Sequence, residues 1–138
     1  MGPCKLDGFD NVIQMTGSKG EVFSPKFPPG TPPRDMMCTW TITVPERHFV
    51  RFNMILFKFD GDCGKWNTSL EIRDGGSSAS NLLKLYCEYV FYGRELFSSG
   101  RQLWVRFKSS RADWSFLPRF RAVFEAVKQC KALFIECY

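Results

Sequence analysis

The sequence offers few side chains for nucleophilic or acid–base chemistry. Its only histidine, His48, follows Pro45 in a polar stretch that predicts a solvated surface turn, whereas a serine or cysteine nucleophile needs a base held beside it. The carboxylates are scattered along the chain and lack the paired arrangement that glycoside hydrolysis requires. No glycine-rich phosphate loop leads from a strand into a helix. We therefore expect no enzymatic activity from this chain.

Six cysteines are the other reactive side chains. No two of them form the close C-x-x-C pair expected of a zinc site, so disulfide bonds are the better interpretation. Stable disulfides indicate an oxidising, extracellular compartment. Spacing alone leaves the connectivity open. The cysteines are Cys4, Cys38, Cys63, Cys87, Cys130 and Cys137.

A glycosylation motif points to the same compartment. Asn67 begins the sequon Asn67-Thr68-Ser69, in a stretch whose glycine and asparagine residues predict an exposed turn. We expect Asn67 to carry an N-linked glycan.

Charge and hydropathy exclude two classes of partner. The formal net charge is +5, and the basic residues are spread along the chain, so nucleic acid is not an expected partner. No apolar stretch approaches the length of a membrane span, so we expect no direct membrane insertion. Residues 1–4 lack the features of a secretion signal, so we expect the numbering to begin after a removed signal or inside a longer protein.

Short stretches of alternating apolar and polar residues must position these side chains. In residues 38–44, cysteine, tryptophan, isoleucine and valine alternate with three threonines, which predicts a half-buried strand. Val50, Phe52, Met54 and Leu56 share the apolar face of a second strand. Further strands are predicted over residues 70–73, 83–87 and 103–108. Strands of this length, separated by turn residues, indicate an all-β sandwich or barrel.

Two other segments shape the expected domain. Residues 17–33 are rich in glycine, serine and proline and predict an extended loop. Residues 120–127 fit the period of a strand and of a helix equally well, so periodicity leaves their structure open. The length of 138 residues suits one ordinary domain.

Taken in order, several of these stretches resemble a CUB domain. The similarity rests on Cys4, Cys38, Pro45, Phe57, Cys63, Tyr86 and Cys87 and on residues 20–28, 38–42, 70–75 and 103–107. It implies an antiparallel, jelly-roll-like β-sandwich over residues 1–127, followed by a cysteine-containing tail over residues 128–138. It also implies a non-enzymatic module of a larger secreted or cell-surface protein that binds extracellular proteins.

The resemblance selects among the disulfide pairings. CUB domains usually join their first cysteine to the second and the third to the fourth, which implies bonds from Cys4 to Cys38 and from Cys63 to Cys87. Residues 130–137 lie outside the pattern. They are loosely similar to the opening of a low-density-lipoprotein-receptor class A module, although the spacing is one residue too long. A local bond between Cys130 and Cys137 is the alternative.

The resemblance also raises the question of calcium, which many CUB domains hold between two loops. The family's acidic ligands fall at Asp60, at Thr68 and at Ser110, so two of the three expected carboxylates are missing. Only Asp62 and Asp113 offer substitutes. Because calcium prefers several anionic oxygens, we expect no cofactor and no calcium site.

Two binding hypotheses follow. In the first, exposed aromatic residues and an arginine anchor a protein partner, as such residues commonly do at interface centres. These candidates are Trp66, Tyr89, Phe91, Tyr92, Trp114 and Arg111. In the second, cations on adjacent strands bind a sulfated glycan such as heparan sulfate. These candidates are Arg101, Arg106, Lys108, Arg111, Arg119 and Arg121.

Overall fold

The computed structural model describes residues 5–6, 12–24, 36–58, 69–87, 95–109 and 119–130. Within these ranges every regular element is a strand, which confirms the all-β prediction. The strands are β1 (Lys5–Leu6), β2 (Val12–Thr16), β3 (Lys19–Phe23), β4 (Met36–Thr43), β5 (His48–Lys58), β6 (Ser69–Asp74), β7 (Asn81–Tyr86), β8 (Glu95–Phe97), β9 (Gln102–Ser109) and β10 (Arg119–Lys128). No helix in the described ranges is long and apolar enough to cross a membrane.

The strands form two sheets. The first sheet has six strands in the order β1-β4-β9-β6-β7, with β2 also paired to β4. The second has four strands in the order β3-β10-β5-β8. Pairing is antiparallel apart from β2 and β4, which run parallel. The expected antiparallel sandwich is therefore confirmed with one parallel addition.

The inner faces of the two sheets meet in one apolar core. Trp40 on β4 of the first sheet packs edge-on against Phe120 on β10 of the second, with ring centroids 5.6 Å apart. The Phe107 ring on β9 also lies against the Phe120 ring, with ring centroids 5.2 Å apart. Burying an apolar side chain of this size contributes about 1.5 to 3 kcal/mol to the stability of the fold. The packing of these rings therefore contributes strongly to holding the two sheets together.

The segment that periodicity left open is a strand. Phe120, Ala122 and Phe124 are buried at alternate positions of β10, which is the period of a strand. β10 is hydrogen-bonded to β3 on one side and β5 on the other, and these ladders override the helical alternative.

The loop predicted over residues 17–33 is wrong for residues 19–23, which form the edge strand β3. Within this strand Gly20 lies opposite Phe124, whose ring occupies the space beside it. Ser24 follows β3 and is buried, and its backbone amide donates to the Phe120 carbonyl at 3.0 Å. Residues 25–33 lie outside the described ranges.

The alternation of residues in β4 predicted a half-buried strand. This prediction is wrong, because both faces of β4 are covered. Thr39 and Thr41 are only 0% and 4% exposed. On this outer face Thr39 lies opposite Arg106 and Thr41 lies opposite Trp104, and these long side chains shield the threonines from water.

The predicted burial of Leu56 is also wrong. Val50, Phe52 and Met54 are buried as expected, but Leu56 is 42% exposed. The ladder between β5 and β10 pairs Met54 with Ala122 and Leu56 with Arg121, so Ile55 is an extra residue. This β-bulge moves Leu56 to the outer face of the second sheet.

Candidate functional site

The outer face of the second sheet holds a shallow groove of about 520 Å³. Its floor is formed by Asn53 on β5 and Val123 on β10, which lie directly opposite each other and have short side chains. Longer charged residues stand on either side and form the walls. The lining residues are Lys19, Gly20, Glu21, Arg51, Asn53, Val123, Phe124 and Glu125.

Arg51 organises one wall of the groove. Its Nε donates to Oε2 of Glu95 on β8 at 2.8 Å, and its NH1 group donates to Oε1 of Glu125 on β10 at 2.8 Å. The hydrogen bond with Glu95 is the largest cause that raises the pKa of Arg51 above its ordinary value. One guanidinium thus bridges the carboxylates of both neighbouring strands and fixes their orientation.

A second ion pair lies on the opposite side, where Glu21 lines the groove. Arg121 on β10 donates from Nε to Oε1 of Glu21 at 2.8 Å and from its NH2 group to Oε2 at 3.0 Å. This two-pronged geometry defines the orientation of both side chains. Lys19, on the same strand as Glu21, makes no ion pair within the part of the chain that the structure describes.

Large apolar side chains remain exposed at both ends of this charged face. At one end Phe23, Ile55 and Leu56 surround Arg121. At the other end Phe97 packs edge-on against Phe49, with ring centroids 5.9 Å apart. The face therefore combines preformed ion pairs in the middle with apolar contact area on either side.

The described residues assemble no catalytic constellation. Nδ1 of His48 lies 2.9 Å from the backbone carbonyl of Glu46, which is in the turn before β5. No nucleophilic side chain of the described residues is hydrogen-bonded to the His48 ring. Within the described ranges no three histidine, cysteine or acidic side chains cluster in a way that could hold a metal ion.

The cations proposed for glycan binding do not share one face. Arg106 and Lys108 lie on β9 of the first sheet, whereas Arg119 and Arg121 lie on β10 of the second. Arg101 precedes β9, where its Nε donates to the Val44 carbonyl at 3.0 Å. Arg111 lies outside the described residues.

Arg106 has a local structural role. Its guanidinium carbon lies 4.6 Å from the centre of the buried Trp104 ring, and its Nε donates to the Thr39 hydroxyl at 3.1 Å. The stacking and the hydrogen bond hold this side chain flat against the first sheet.

The aromatic residues predicted to bind a protein lie outside the described ranges, as do the glycosylation site and half of the cysteines. These residues are Trp66, Asn67, Tyr89, Phe91, Tyr92, Trp114, Cys4, Cys63 and Cys137. Cys38, Cys87 and Cys130 are described and are disulfide-bonded. The proposed pairing stays a prediction.

Sequence reasoning missed the groove. Arg51 and Asn53 already alternate with buried residues, so the sequence carried a signal that they face outward. Their neighbours come from β3, β8 and β10, and no local pattern links strands so far apart in the chain.

Comparison with known proteins agrees with the fold. The family model described as CUB domain matches residues 10–116. The bone morphogenetic protein 1 homolog of Strongylocentrotus purpuratus is 33% identical over 110 residues, which cover 80% of this chain and 17% of that protein. Human cubilin is 34% identical over 103 residues, covering 71% of this chain and 3% of cubilin. The chain therefore spans a small part of these relatives.

Solved structures show the same fold. The CUB1-EGF-CUB2 domains of rat MASP-1 align with a TM-score of 0.63 and 20% identity, covering 85% of this chain and 43% of that one. The MASP-1 CUB2 domain bound to Ca²⁺ aligns with a TM-score of 0.62 and 18% identity, covering 82% of this chain and 96% of that one.

The expectation of no calcium site is wrong in the light of this second structure, because a domain of the same fold was solved with the ion bound. The expectation rested on counting carboxylates at Asp60, Thr68 and Ser110. These positions lie outside the described residues, and calcium also accepts neutral hydroxyl and carbonyl oxygens. Counting carboxylates in the sequence was therefore too narrow a criterion for excluding a calcium site.

Proposed function

Because this chain belongs to the CUB domain family, we propose that it is a protein-binding module within a longer secreted or cell-surface protein. It is an extracellular domain. CUB domains are non-catalytic modules, and any catalysis by the parent protein would reside in other domains. A receptor, a co-receptor or the accessory region of a protease are the parent types that suit such a module.

The observation that carries the proposal is the outer face of the second sheet. It presents exposed phenylalanine, isoleucine and leucine side chains next to ion pairs that are already oriented. Protein interfaces characteristically combine a few apolar or arginine anchors with surrounding polar groups. Charged side chains that ion pairs already hold in one orientation lose less conformational freedom when a partner binds.

The sulfated-glycan alternative has less support. A heparan sulfate site needs its cations on one continuous surface, whereas the described candidates lie on both sheets. Arg121 is neutralised by Glu21, and Arg106 is stacked against Trp104. Protein binding therefore explains the described surface better than glycan binding does.

The test is a binding screen of the oxidised, glycosylated domain against a panel of extracellular receptor ectodomains. We expect at least one saturable partner, and we expect the same domain with its disulfides reduced to lose that partner. A folded domain that binds no ectodomain, in a screen where a CUB domain with a known partner scores positive, would contradict the proposal.

A further inference from the structure

Three exposed apolar residues form one corner of the second sheet. Phe23, Ile55 and Leu56 are 40%, 46% and 42% exposed, and we call them the apolar corner. Phe23 and Leu56 both lie directly opposite Arg121, one on each side, so they are two strand spacings apart, or about 10 Å. The three side chains therefore belong to one surface.

The β-bulge on β5 creates this surface. Uninterrupted alternation after Met54 would have placed Leu56 in the core, and the extra residue Ile55 instead brings two consecutive apolar residues into solvent. Exposing them forgoes the free energy that burial would provide. Bulges of this kind commonly redirect side chains at functional positions.

Among the described residues beside the apolar corner, the charge left without an ion pair is positive. Arg119 and Arg121 lie on the same outer face of β10, separated by the buried Phe120. Glu21 neutralises Arg121, but Arg119 makes no ion pair in the part of the chain that the structure describes. An anionic group brought beside Arg119 would neutralise this unpaired charge.

We propose that the apolar corner binds a segment of a partner protein that places an apolar side chain beside an aspartate or glutamate. The proposal rests on the proposed function and names the chemistry of the partner. Phe23, Ile55 and Leu56 supply the apolar contact, and Arg119 supplies the charge. A sulfated glycan would satisfy the charge but would leave the apolar side chains in water. A second copy of the chain would bring further cations to the same place.

The experiment titrates the isotope-labelled, oxidised domain with short synthetic peptides and follows its amide resonances. The peptides alternate leucine with aspartate, with lysine or with serine. We expect the leucine–aspartate peptide to bind and to shift the amides of Phe23, Leu56 and Arg121. We expect the leucine–lysine peptide not to bind. Equal binding of the two charged peptides, or shifts confined to another surface, would overturn the proposal.

Variants separate the apolar contact from the charge. Leu56→Ser should weaken binding of the leucine–aspartate peptide about tenfold, which corresponds to about 1.4 kcal/mol. Leu82→Ser, at a comparably exposed leucine on β7 of the first sheet, is the matched control and should leave affinity unchanged. Arg119→Ala should weaken binding and reduce its dependence on salt. Thermal melts establish that each variant is folded.

Two further measurements can refute the proposal. The first is heparin affinity. If the domain bound heparin but no peptide, and Leu56→Ser left the heparin affinity unchanged, the surface would recognise a glycan by charge alone. Concentration-dependent dimerisation that Leu56→Ser abolishes would show that a second copy covers the apolar corner. Either outcome overturns the apolar corner as a partner site, whereas the ectodomain screen with the whole domain tests the proposed function separately.

Discussion

Gly20 on β3 lies directly opposite Phe124 on β10, and the Phe124 ring fills the space where a side chain at position 20 would begin. A Cβ atom on Gly20 would lie 2.5 Å from Cε2 of that ring and 2.6 Å from Cζ. Phe124 belongs to the core, where close packing leaves its ring little room to move. The absence of a side chain at position 20 is therefore part of how the edge strand packs.

Gly20→Ala should lower the free energy of unfolding by about 1 to 3 kcal/mol, because the added methyl group would displace the Phe124 ring. Gly100→Ala is the matched control, since a Cβ atom there meets no atom within 4 Å. Urea denaturation of both variants measures the difference. Equal stability of the two variants would mean that the Phe124 ring moves aside without strain.

Trp40→Ala should lower the free energy of unfolding by about 3 to 5 kcal/mol. Trp40 is 2% exposed and packs against Phe120 of the other sheet, so its removal leaves a cavity between the sheets. Leu82→Ala, at an exposed position, should change stability by less than about 0.5 kcal/mol. A loss below about 1 kcal/mol for Trp40→Ala, measured by chemical denaturation, would contradict the observed register.

Much of the fold could be predicted because alternation reports directly which residues face the core. The patterns around Trp40, Phe52 and Phe107 correctly identified β4, β5 and β9. Alternation considers one strand at a time, however. It could not show that Trp104 and Arg106 cover Thr39 and Thr41 from a neighbouring strand.

The candidate site was harder to predict. A bulge at Ile55 depends on the pairing of β5 with β10, and nothing within β5 alone reveals it. The groove likewise needs Lys19, Arg51 and Glu125 together, which only the strand order of the second sheet provides. Sequence reasoning instead favoured a set of exposed aromatic residues, all of which lie outside the described ranges.

Arg106→Ala should lower the free energy of unfolding by about 1 to 2 kcal/mol, because it removes both the stacking on Trp104 and the hydrogen bond to Thr39. Lys108→Ala, two residues along the same face of β9, should change stability by less than about 0.5 kcal/mol. Thermal and chemical denaturation compare the two. A glycan-binding role without a structural role would leave both variants equally stable and would reduce heparin binding in both.

The burial of Tyr86 should make the free energy of unfolding depend on pH in the alkaline range. Burial raises the pKa of Tyr86 above its ordinary value of 10.0, because the ionised form is poorly solvated in the core. The unfolded chain therefore loses this proton at lower pH than the folded chain, so the stabilisation is complete below about pH 10 and is lost as the pH rises further. The free energy of unfolding of the native chain should fall relative to Tyr86→Phe above about pH 10. Parallel curves for the two proteins across this range would contradict the prediction.

The disulfide pairing can be mapped by digesting the folded chain without reduction and identifying the joined peptides. Cys38, Cys87 and Cys130 are disulfide-bonded, so each should appear with one partner. The expected bonds are Cys4 to Cys38, Cys63 to Cys87 and Cys130 to Cys137. A peptide joining Cys38 to Cys63 would contradict the family pairing.

The three predicted bonds should contribute unequally to stability, because Cys38 lies in the core whereas Cys130 is exposed after the end of β10. Replacing Cys4 and Cys38 together by alanine should lower the free energy of unfolding by about 3 to 4 kcal/mol, since it opens a long loop and loosens the packing beside Trp40. Replacing Cys130 and Cys137 together by serine opens only a short loop and removes an exposed thiol position at residue 130, so we expect a much smaller loss. Urea denaturation of the two double variants decides the order. A larger loss from the C-terminal pair would show that the tail after β10 is an integral part of the sandwich.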